Sequence, residues 1–532
     1  MKISIPVRWR ILALPLLLAA ASVGFSQLAH AQNKIVRIAM PSEPGTIDPH
    51  SSVGGAYEIM QAIFDGLVKL DHDLNLVPRL AESWKQVDDK TVRFKLREGV
   101  KFHSGNPFDA EAVKAWFDAM LDPADPGVSA GKLKPVSKVV VVDKYTVEIQ
   151  LKEAFGPFIR SLSIPHLVIY DVAERKRLGP KGFASKPSGT GAFRFKEWRR
   201  GQAIVLEANP DYREKGKPKV DILEFSFMPE PSGRIAALEV GQIDIAYALP
   251  GHQVPRMEAM PDVTPLKKRA LRPIVWFFNM RHPILLDPAV RRALVHAVDM
   301  DLIGETILEH GGKVLQGYIT QGAYGGLEMP FGYKPEYSAL LLAQAGWNKN
   351  SDGIYEKNGK KLTLTAQIGV DRYPDILAVG EAIQAQLRDQ GWDFHIRGIE
   401  QSSLEAGVQS ARKTPHDGDV PPYDMVTWGH GMRDGQAYGP LTTAWSNAFG
   451  YTGSVGHWSN QNFDQLMAIA VKPLPEQLQL QAYHDAQRVM YAEVPGLPLY
   501  SPLWVRGIQS GIEGYRLHSA EQEYWEDLEL NR

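Results

Sequence analysis

The sequence predicts an α/β protein of more than one domain, and three observations carry that prediction. Val92, Phe94 and Leu96 alternate with Arg93, Lys95 and Arg97, the period of a strand with one buried face. Residues 362–397 read as strand, helix, strand: Ile376, Val379, Ile383 and Leu387 stripe a helix that stops at Gly391. Such a unit implies a parallel sheet. Finally, 532 residues exceed what one hydrophobic core encloses, so two or three domains are expected at roughly 100–200 residues each.

Taken in order, the chain begins with a targeting segment. Lys2, Arg8 and Arg10 make a positive start, residues 11–24 are apolar, and Ala29-His30-Ala31 is a small-residue cleavage site. Cleavage is expected after Ala31. The apolar run is short for a membrane span, and no other stretch is long enough. Residues 34–40 read as a first strand ending in the loop 41–49. Ala56 to Leu70 is expected to be a helix, with Ile59, Ile63 and Leu67 on one face. After the strand 91–97 and a turn at Gly105-Asn106-Pro107, Asp109 is placed to cap a helix carrying Val113, Trp116, Phe117 and Met120.

Further on, residues 137–142 and 145–151 form a hairpin around Asp143-Lys144, and strands are expected at 192–198 and 220–228. Residues 235–245 read helix, turn, strand. An aromatic strand, 273–280, runs to a boundary at Arg281-His282-Pro283. A single helix is expected over Val290 to Ile303, from Leu294, Val298 and Leu302 at i, i+4, i+8. A short helix follows at 339–347 and another helix at 478–491, with a strand at 423–427 and a return strand from Pro498 to Ile508.

Charge and cysteine content narrow the function. Without Lys2, Arg8 and Arg10 the mature chain has 56 basic against 61 acidic side chains. A mildly acidic, mixed surface does not suit nucleic acid. With no cysteine there is no disulfide and no thiolate metal site, nor a cysteine to carry a lipid anchor.

Catalytic motifs are absent or out of context. Gly127-Val128-Ser129-Ala130-Gly131 fits the nucleophile-elbow spacing but lies in a loop, without the strand before and helix after that the elbow needs. Asp71 to Glu82 imitates a calcium loop, yet its sixth position is Leu76 instead of glycine. No phosphate-binding P-loop and no H-E-x-x-H pair occur. The chain is therefore expected not to be an enzyme, and to hold no cofactor and no metal. His166, His416, His430 and His457 are not expected to hold a metal, while His166 and His430 are candidates to contact a solute.

The loop after strand 423–427 is the candidate binding site. It holds Trp428, His430, Met432, Arg433 and Asp434 among glycines. An aromatic platform beside His, Arg and Asp at a strand's C-terminal end suits a solute. A glycine-softened surface loop with a buried tryptophan anchor fits the same residue types. Glu43 and Tyr57 near the first strand, and Tyr500 and Trp504 on the last, are the further cleft candidates.

One resemblance covers essentially the whole mature chain. The block with Ala81, Asp88, residues 91–97 and residues 100–102 looks like the signature of the peptide/nickel class (family 5) of extracellular solute-binding proteins, which serve ABC importers. The loop 41–49, Gly189-Thr190-Gly191-Ala192-Phe193, Asn209-Pro210-Asp211-Tyr212 and residues 241–245 are similar to the same family. The resemblance implies a two-lobed α/β periplasmic binding protein fold of type II. The first lobe would comprise 32–50, 187–280 and 501–532, with an extra β-rich domain over 51–186; the second lobe would be 281–500, with hinges near 280 and 500. It implies a periplasmic, monomeric protein that clamps a peptide-like solute between its lobes and hands it to an inner-membrane ABC permease with separate ATPase subunits. Nickel, metallophore-chelate or opine-like solutes are the alternatives, and a periplasmic hydrolase the alternative of another class. Trp428 matches the family's solute-stacking tryptophan. Gly431 stands where peptide-binding members place an aspartate, and His166 lies in the segment where nickel-binding members carry arginines.

Overall fold

A single strand, Gly496–Gln509, ties the fold together. Its sequence is apolar almost throughout and its residues are nearly all buried. The first half pairs antiparallel with Ile274–Phe278, and the second half with Val263–Arg269 and Ile245–Ala246. Beyond Ile245–Ala246 the sheet continues through Ile35–Met40, Ile222–Phe227, Ala203–Ala208 and Phe193–Arg199. In the other direction it runs through Ile274–Phe278, Met425–Gly429, Thr363–Gly369 and Asp393–Ile399. The structure is a computed structural model and describes residues 33–52, 56–308, 312–370, 373, 375–413, 423–445 and 455–532. The leader with its cleavage site at Ala31, and His416, lie outside the described residues.

Each half of the sheet has its own core. One large apolar cluster is drawn almost wholly from Leu271 to Tyr500, the other from Val36 to Tyr247 together with Ile508 to Leu530. The chain passes between them at 270–273 and again at 500–503. The passages lie side by side: Ala270 N–H donates to the Pro502 carbonyl at 2.9 Å, and Arg269 pairs with Leu503. Two cores joined by two short adjacent chain segments make a two-lobed architecture of the kind that closes by hinging.

A separate four-stranded sheet, ordered Ala81–Asp88, Thr91–Leu96, Thr146–Leu151, Val136–Asp143, is the extra β-rich layer. Val92, Phe94 and Leu96 are buried and Arg93 is exposed, as the alternation requires. The edge strand Ala81–Asp88 is mostly exposed, which is why no apolar period announced it. The helix Ala110–Met120 covers this sheet with Val113, Trp116 and Phe117. Asp109 caps it, accepting the Ala112 N–H at 3.1 Å. Asp109→Ala is expected to cost about 1 kcal/mol, read as a lower urea midpoint with an unchanged slope.

The strand–helix–strand unit forms as expected. Thr363–Gly369 and Asp393–Ile399 pair in parallel, joined by the helix Ile376–Asp389. Gly391, at φ +95°, leaves that helix where an added Cβ would sit 2.4 Å from the Gly353 carbonyl.

Two helices differ from expectation. The first ends at Ile63, and Val68–Leu70 is a strand. The interruption serves Asp65, whose buried carboxylate takes Arg79 Nε and Arg213 Nη1, each at 2.6 Å. The helix expected over 290–303 is two, Pro288–Ala297 and Met300–Thr306. Val298 is extended between them, and Asp299 caps the second by accepting the Leu302 N–H at 3.0 Å. Leu302 is accordingly exposed and off the buried stripe. No helix among the described residues is long and apolar enough to cross a membrane.

Candidate functional site

A cavity of about 230 Å³ opens where the two halves of the sheet meet. The strand Ile35–Met40 ends in it at Met40, and the helix Tyr57–Ile63 presents Tyr57 and Glu58 to it. The long strand contributes Trp504 and Arg506, which project on one face because they are two residues apart. Arg272 enters from one of the two passages, Tyr373 and Arg433 come from the second half, and Glu521 and Glu523 from the C-terminal segment. The volume lies under the ~300–1,000 Å³ usual for drug-sized ligands, and so suits a small solute.

The charged residues form two clusters. In the first, Glu521 accepts from Arg272 Nη2 at 2.6 Å and Nε at 3.2 Å, and from Arg433 Nε at 2.7 Å. Arg272 Nη1 also lies 3.4 Å from the Tyr373 hydroxyl. Burial pushes the Glu521 carboxyl up, but the Arg272 and Arg433 guanidinium groups outweigh it and hold the group well below the usual carboxylate range. Its backbone is left-handed, at φ +59°, a conformation that costs a non-glycine residue of order 1 kcal/mol or more. Arg433 lies over the Tyr57 ring, 4.7 Å from its centroid.

In the second cluster, Arg506 stacks 3.8 Å over the Tyr247 ring, and its nearest nitrogen is 4.0 Å from Glu523 Oε1. Burial pushes the Glu523 carboxyl up to about 7, with Arg506 drawing it down and Glu58 adding to the rise. Burial raises Glu58 as well. The Tyr515 hydroxyl donates to that of Tyr247 at 2.9 Å. Among the described residues, Trp504 Nε1, Arg506 Nε and Glu523 Oε2 are buried polar atoms without a hydrogen-bond partner. Such atoms are uncommon in native interiors.

Of the residues singled out in the sequence, the cavity brings together Tyr57, Arg433 and Trp504. His166 stands behind them, its ring 4.1 Å from that of Tyr57, and burial keeps it well below its usual pKa. The others lie off the lining. Trp428 falls inside the strand Met425–Gly429, opposite Val275, half-buried against the second core. His430 donates its N–H to the Pro273 carbonyl at 3.3 Å. Met432 is buried in that core. The Asp434 carboxylate is buried and accepts from Gln436 Nε2 at 2.9 Å, while its carbonyl takes Arg160 Nε. Glu43 accepts from Trp198 Nε1 at 2.7 Å and Gly201 N–H at 3.1 Å. Tyr500 is fully buried in the second core. At Gly431 a Cβ would come 2.7 Å from Arg272 Nη2, so the backbone there must be bare for the Arg272–Glu521 pair to pass.

Ser129 precedes only a 3-10 turn, Ala130–Leu133, with no strand leading into it. Asp71 accepts from the N–H groups of Asp73 and Asn75, which makes its segment a turn. Among the described residues no group of three or more His, Asp or Glu is arranged to hold a metal ion.

Sequence reasoning missed Arg272, Arg506, Glu58, Glu521 and Glu523. A signal existed for Arg272 and Arg506, which are lone charges against the apolar runs 274–278 and 496–505; a buried arginine needs a partner or a ligand. The C-terminal glutamates carried no such signal.

The comparisons with known proteins give the family and the fold. Residues 75–451 match the family described as bacterial extracellular solute-binding proteins, family 5. The chain is 30% identical over 406 residues to the nickel-binding periplasmic protein of Escherichia coli strain K12, covering 74% of this chain and 76% of that one. It is 26% identical over 500 residues to the oligopeptide-binding protein AppA of Bacillus subtilis strain 168, covering 89% and 87%. Among solved structures, NikA from Brucella suis in complex with Fe(III)-EDTA superposes with a TM-score of 0.79 at 25% identity, covering 93% of this chain and all of that one. The two-lobed architecture with its extra sheet is thus the periplasmic binding protein fold, and the relatives are binding proteins rather than enzymes. This chain belongs to the bacterial extracellular solute-binding proteins of family 5.

Proposed function

We propose that this chain is the periplasmic solute-binding component of an ABC importer, that it acts as a monomer without doing chemistry on its solute, and that the cavity between the two cores is where the solute sits. The observation that carries this reading is the cavity itself: three arginines, three glutamates and four aromatic rings converge on it from both halves of the sheet. The leader ending at Ala31 delivers the chain to the periplasm, and a membrane permease with separate ATPase subunits receives the solute. The first lobe runs to about residue 270, and the second takes 274–500, because Ile274–Phe278 pairs with Met425–Gly429; residues 51–186 hold the extra domain. A solute that touches both lobes stabilises the state in which they are closed on it.

A small peptide-like solute is the first reading, in keeping with the oligopeptide-binding relative. A carboxylate-bearing metal chelate is the second, favoured by the three arginines and by the nickel-binding relative. The test is to purify the protein natively, denature it, and identify the released molecule by mass spectrometry. That molecule at a hundred times its dissociation constant should add about 2.7 kcal/mol of stability, seen as a raised Tm. Tyr57→Ala and Trp504→Ala should each abolish most of that shift. If both leave it intact and Trp428→Ala removes it, the solute sits at the Trp428 loop and the cavity assignment is wrong.

A further inference from the structure

The two halves also meet along a second face, outside the cavity. The hairpin Val68–Leu70 and Leu76–Pro78 is fastened to the C-terminal segment of the first half. Lys69 pairs with Glu526 at 3.3 Å, the Tyr524 hydroxyl donates to the Leu70 carbonyl, and His518 Nε2 donates to the Asp71 carbonyl at 2.7 Å. The tip of this hairpin is the segment whose sequence imitates a calcium loop. Asp71 Oδ1 accepts the N–H groups of Asp73 and Asn75 at 2.9 and 2.8 Å, and Leu74 between them is left-handed, at φ +67°. A leucine keeps that conformation only where its surroundings hold it. Here they belong to the other half: Leu70 is part of the second core, and Leu74 and Leu76 pack against it.

Arg160 fastens the tip. It lies on the short helix Phe158–Ser161, and its fork bridges the two halves. Nη2 donates to the Leu74 carbonyl at 2.6 Å and Nε to the Asp434 carbonyl at 2.7 Å. Asp434 directly follows Arg433 of the cavity wall. Two contacts extend the same seam. The Phe155 ring meets that of Tyr438 edge-on, with centroids 5.2 Å apart, and the Gly156 N–H donates to the Val471 carbonyl at 2.7 Å. A Cβ at Gly156 would stand 2.7 Å from the Lys472 carbonyl oxygen and 3.0 Å from Gln479 Nε2. The φ of Gly156 lies outside the left-handed region, so it is space, and not backbone conformation, that keeps this position bare. Leu74, Phe155, Gly156 and Arg160 all lie off the cavity lining.

We propose that this seam is a latch, and that Arg160 and Gly156 are positioning residues for solute capture that hold the halves shut without touching the solute. This rests on the reading that the solute is enclosed between the halves. Arg160 acts through the main chain of Asp434. Gly156 acts by letting its own backbone meet that of 471–472. The contacts to Asp434, Tyr438 and Val471 exist only while the halves are together, so they favour the closed arrangement over the open one.

The test uses the full mature chain, which has no cysteine of its own. Spin labels on Val142→Cys and Leu340→Cys, both exposed positions, report the distance between the halves. Without solute, Gly156→Ala and Arg160→Ala should each raise the ratio of long to short distances by about tenfold, which corresponds to about 1.4 kcal/mol lost from the closed arrangement. Gly156→Ala removes no contact within either half, so its Tm should stay within about 3 °C of wild type. The molecule that co-purifies with the wild type, added back as the probe, should escape about tenfold faster from both variants.

Distances unchanged in both variants would overturn the latch, whatever happens to the probe; faster escape at unchanged distances would mean that the two residues act on the cavity wall itself. Open halves with an unchanged escape rate would leave the latch in place and show that the reading beneath it, a solute enclosed between the halves, has failed.

Discussion

Asp65→Asn is expected to remove about 3–5 kcal/mol of folding stability, the cost of breaking a buried ion pair from one side, with a Tm lowered by on the order of 10 °C. The Asp65 side chain is fully buried and takes three partners, and its main chain takes a fourth. Arg79 and Arg213 each reach it at 2.6 Å, Thr190 Oγ1 donates at 3.0 Å, and its main-chain carbonyl accepts the Ile169 N–H. Arg79 is also paired with Glu526 of the C-terminal segment. The carboxylate therefore pins the break after helix Tyr57–Ile63 to segments around 79, 190, 213 and 526. Asparagine keeps the shape and loses the charge, which leaves two guanidinium groups under-compensated.

The pH dependence follows from the same contacts. Burial pushes the Asp65 carboxyl up, Arg213 and Arg79 outweigh it, and the folded-state pKa is lowered. A depressed carboxyl stabilises the fold fully above its unfolded value near 3.9 and loses that contribution as pH falls through the folded value. Urea unfolding of wild type and Asp65→Asn should therefore differ most near pH 7 and converge in strong acid. A difference under about 1 kcal/mol at pH 7 would show that the pair is solvated and that the network does not hold the lobe.

The two helix breaks mark where local pattern stops informing. Val92, Phe94 and Leu96 lie on one strand and face one core, so their period is visible within the six residues Thr91–Leu96. The stripe Ile376–Leu387 and its stop at Gly391 are equally local. The break at Val298 is different. Its neighbour Asp299 receives Gln386 Oε1 on its N–H at 2.7 Å, a partner 87 residues away. At Asp65 the determining arginines lie 14 and 148 residues on. A stripe of apolar residues continues through such a position, while the polar contact that ends the helix lies elsewhere in the chain.

The cavity divides in the same way. Tyr57, Arg433 and Trp504 line it, and the sequence marks all three as aromatic or charged candidates. Glu521 is not marked, because its significance comes from Arg272, 249 residues before it, and Arg433, 88 before it. Trp428 illustrates the converse. Its residue type suited a binding loop, but the strand extends to Gly429 and seats the ring against the second core.

Glu521→Ala is the second large effect, and it separates the fold from its hinge. The C-terminal segment is fastened to the first half of the molecule: Gln61 Nε2 donates to the Glu521 carbonyl at 3.3 Å, and Gln61 Oε1 accepts the Glu523 N–H at 3.0 Å. The Glu521 side chain then reaches Arg433, in the second half, and Arg272, at the passage between halves. It is a charged strap across the cleft. Removing it leaves Arg272, whose side chain is 5% exposed, with only the Tyr373 hydroxyl among the described residues, at an expected cost of about 3 kcal/mol. Because every 1.4 kcal/mol is tenfold in an equilibrium, the part of that loss borne by the closed arrangement shifts the unliganded protein towards open states by tenfold or more. Small-angle scattering should then give a larger radius of gyration without solute, and wild-type dimensions once a solute saturates the cavity. Glu521→Gly removes the same charge but relieves the left-handed backbone, so it should recover about 1 kcal/mol relative to alanine while opening the molecule just as far. Equal stability of the two variants would mean that the backbone at 521 carries no strain. An unchanged radius in both would mean that the glutamate braces one half of the molecule and does not bridge the two.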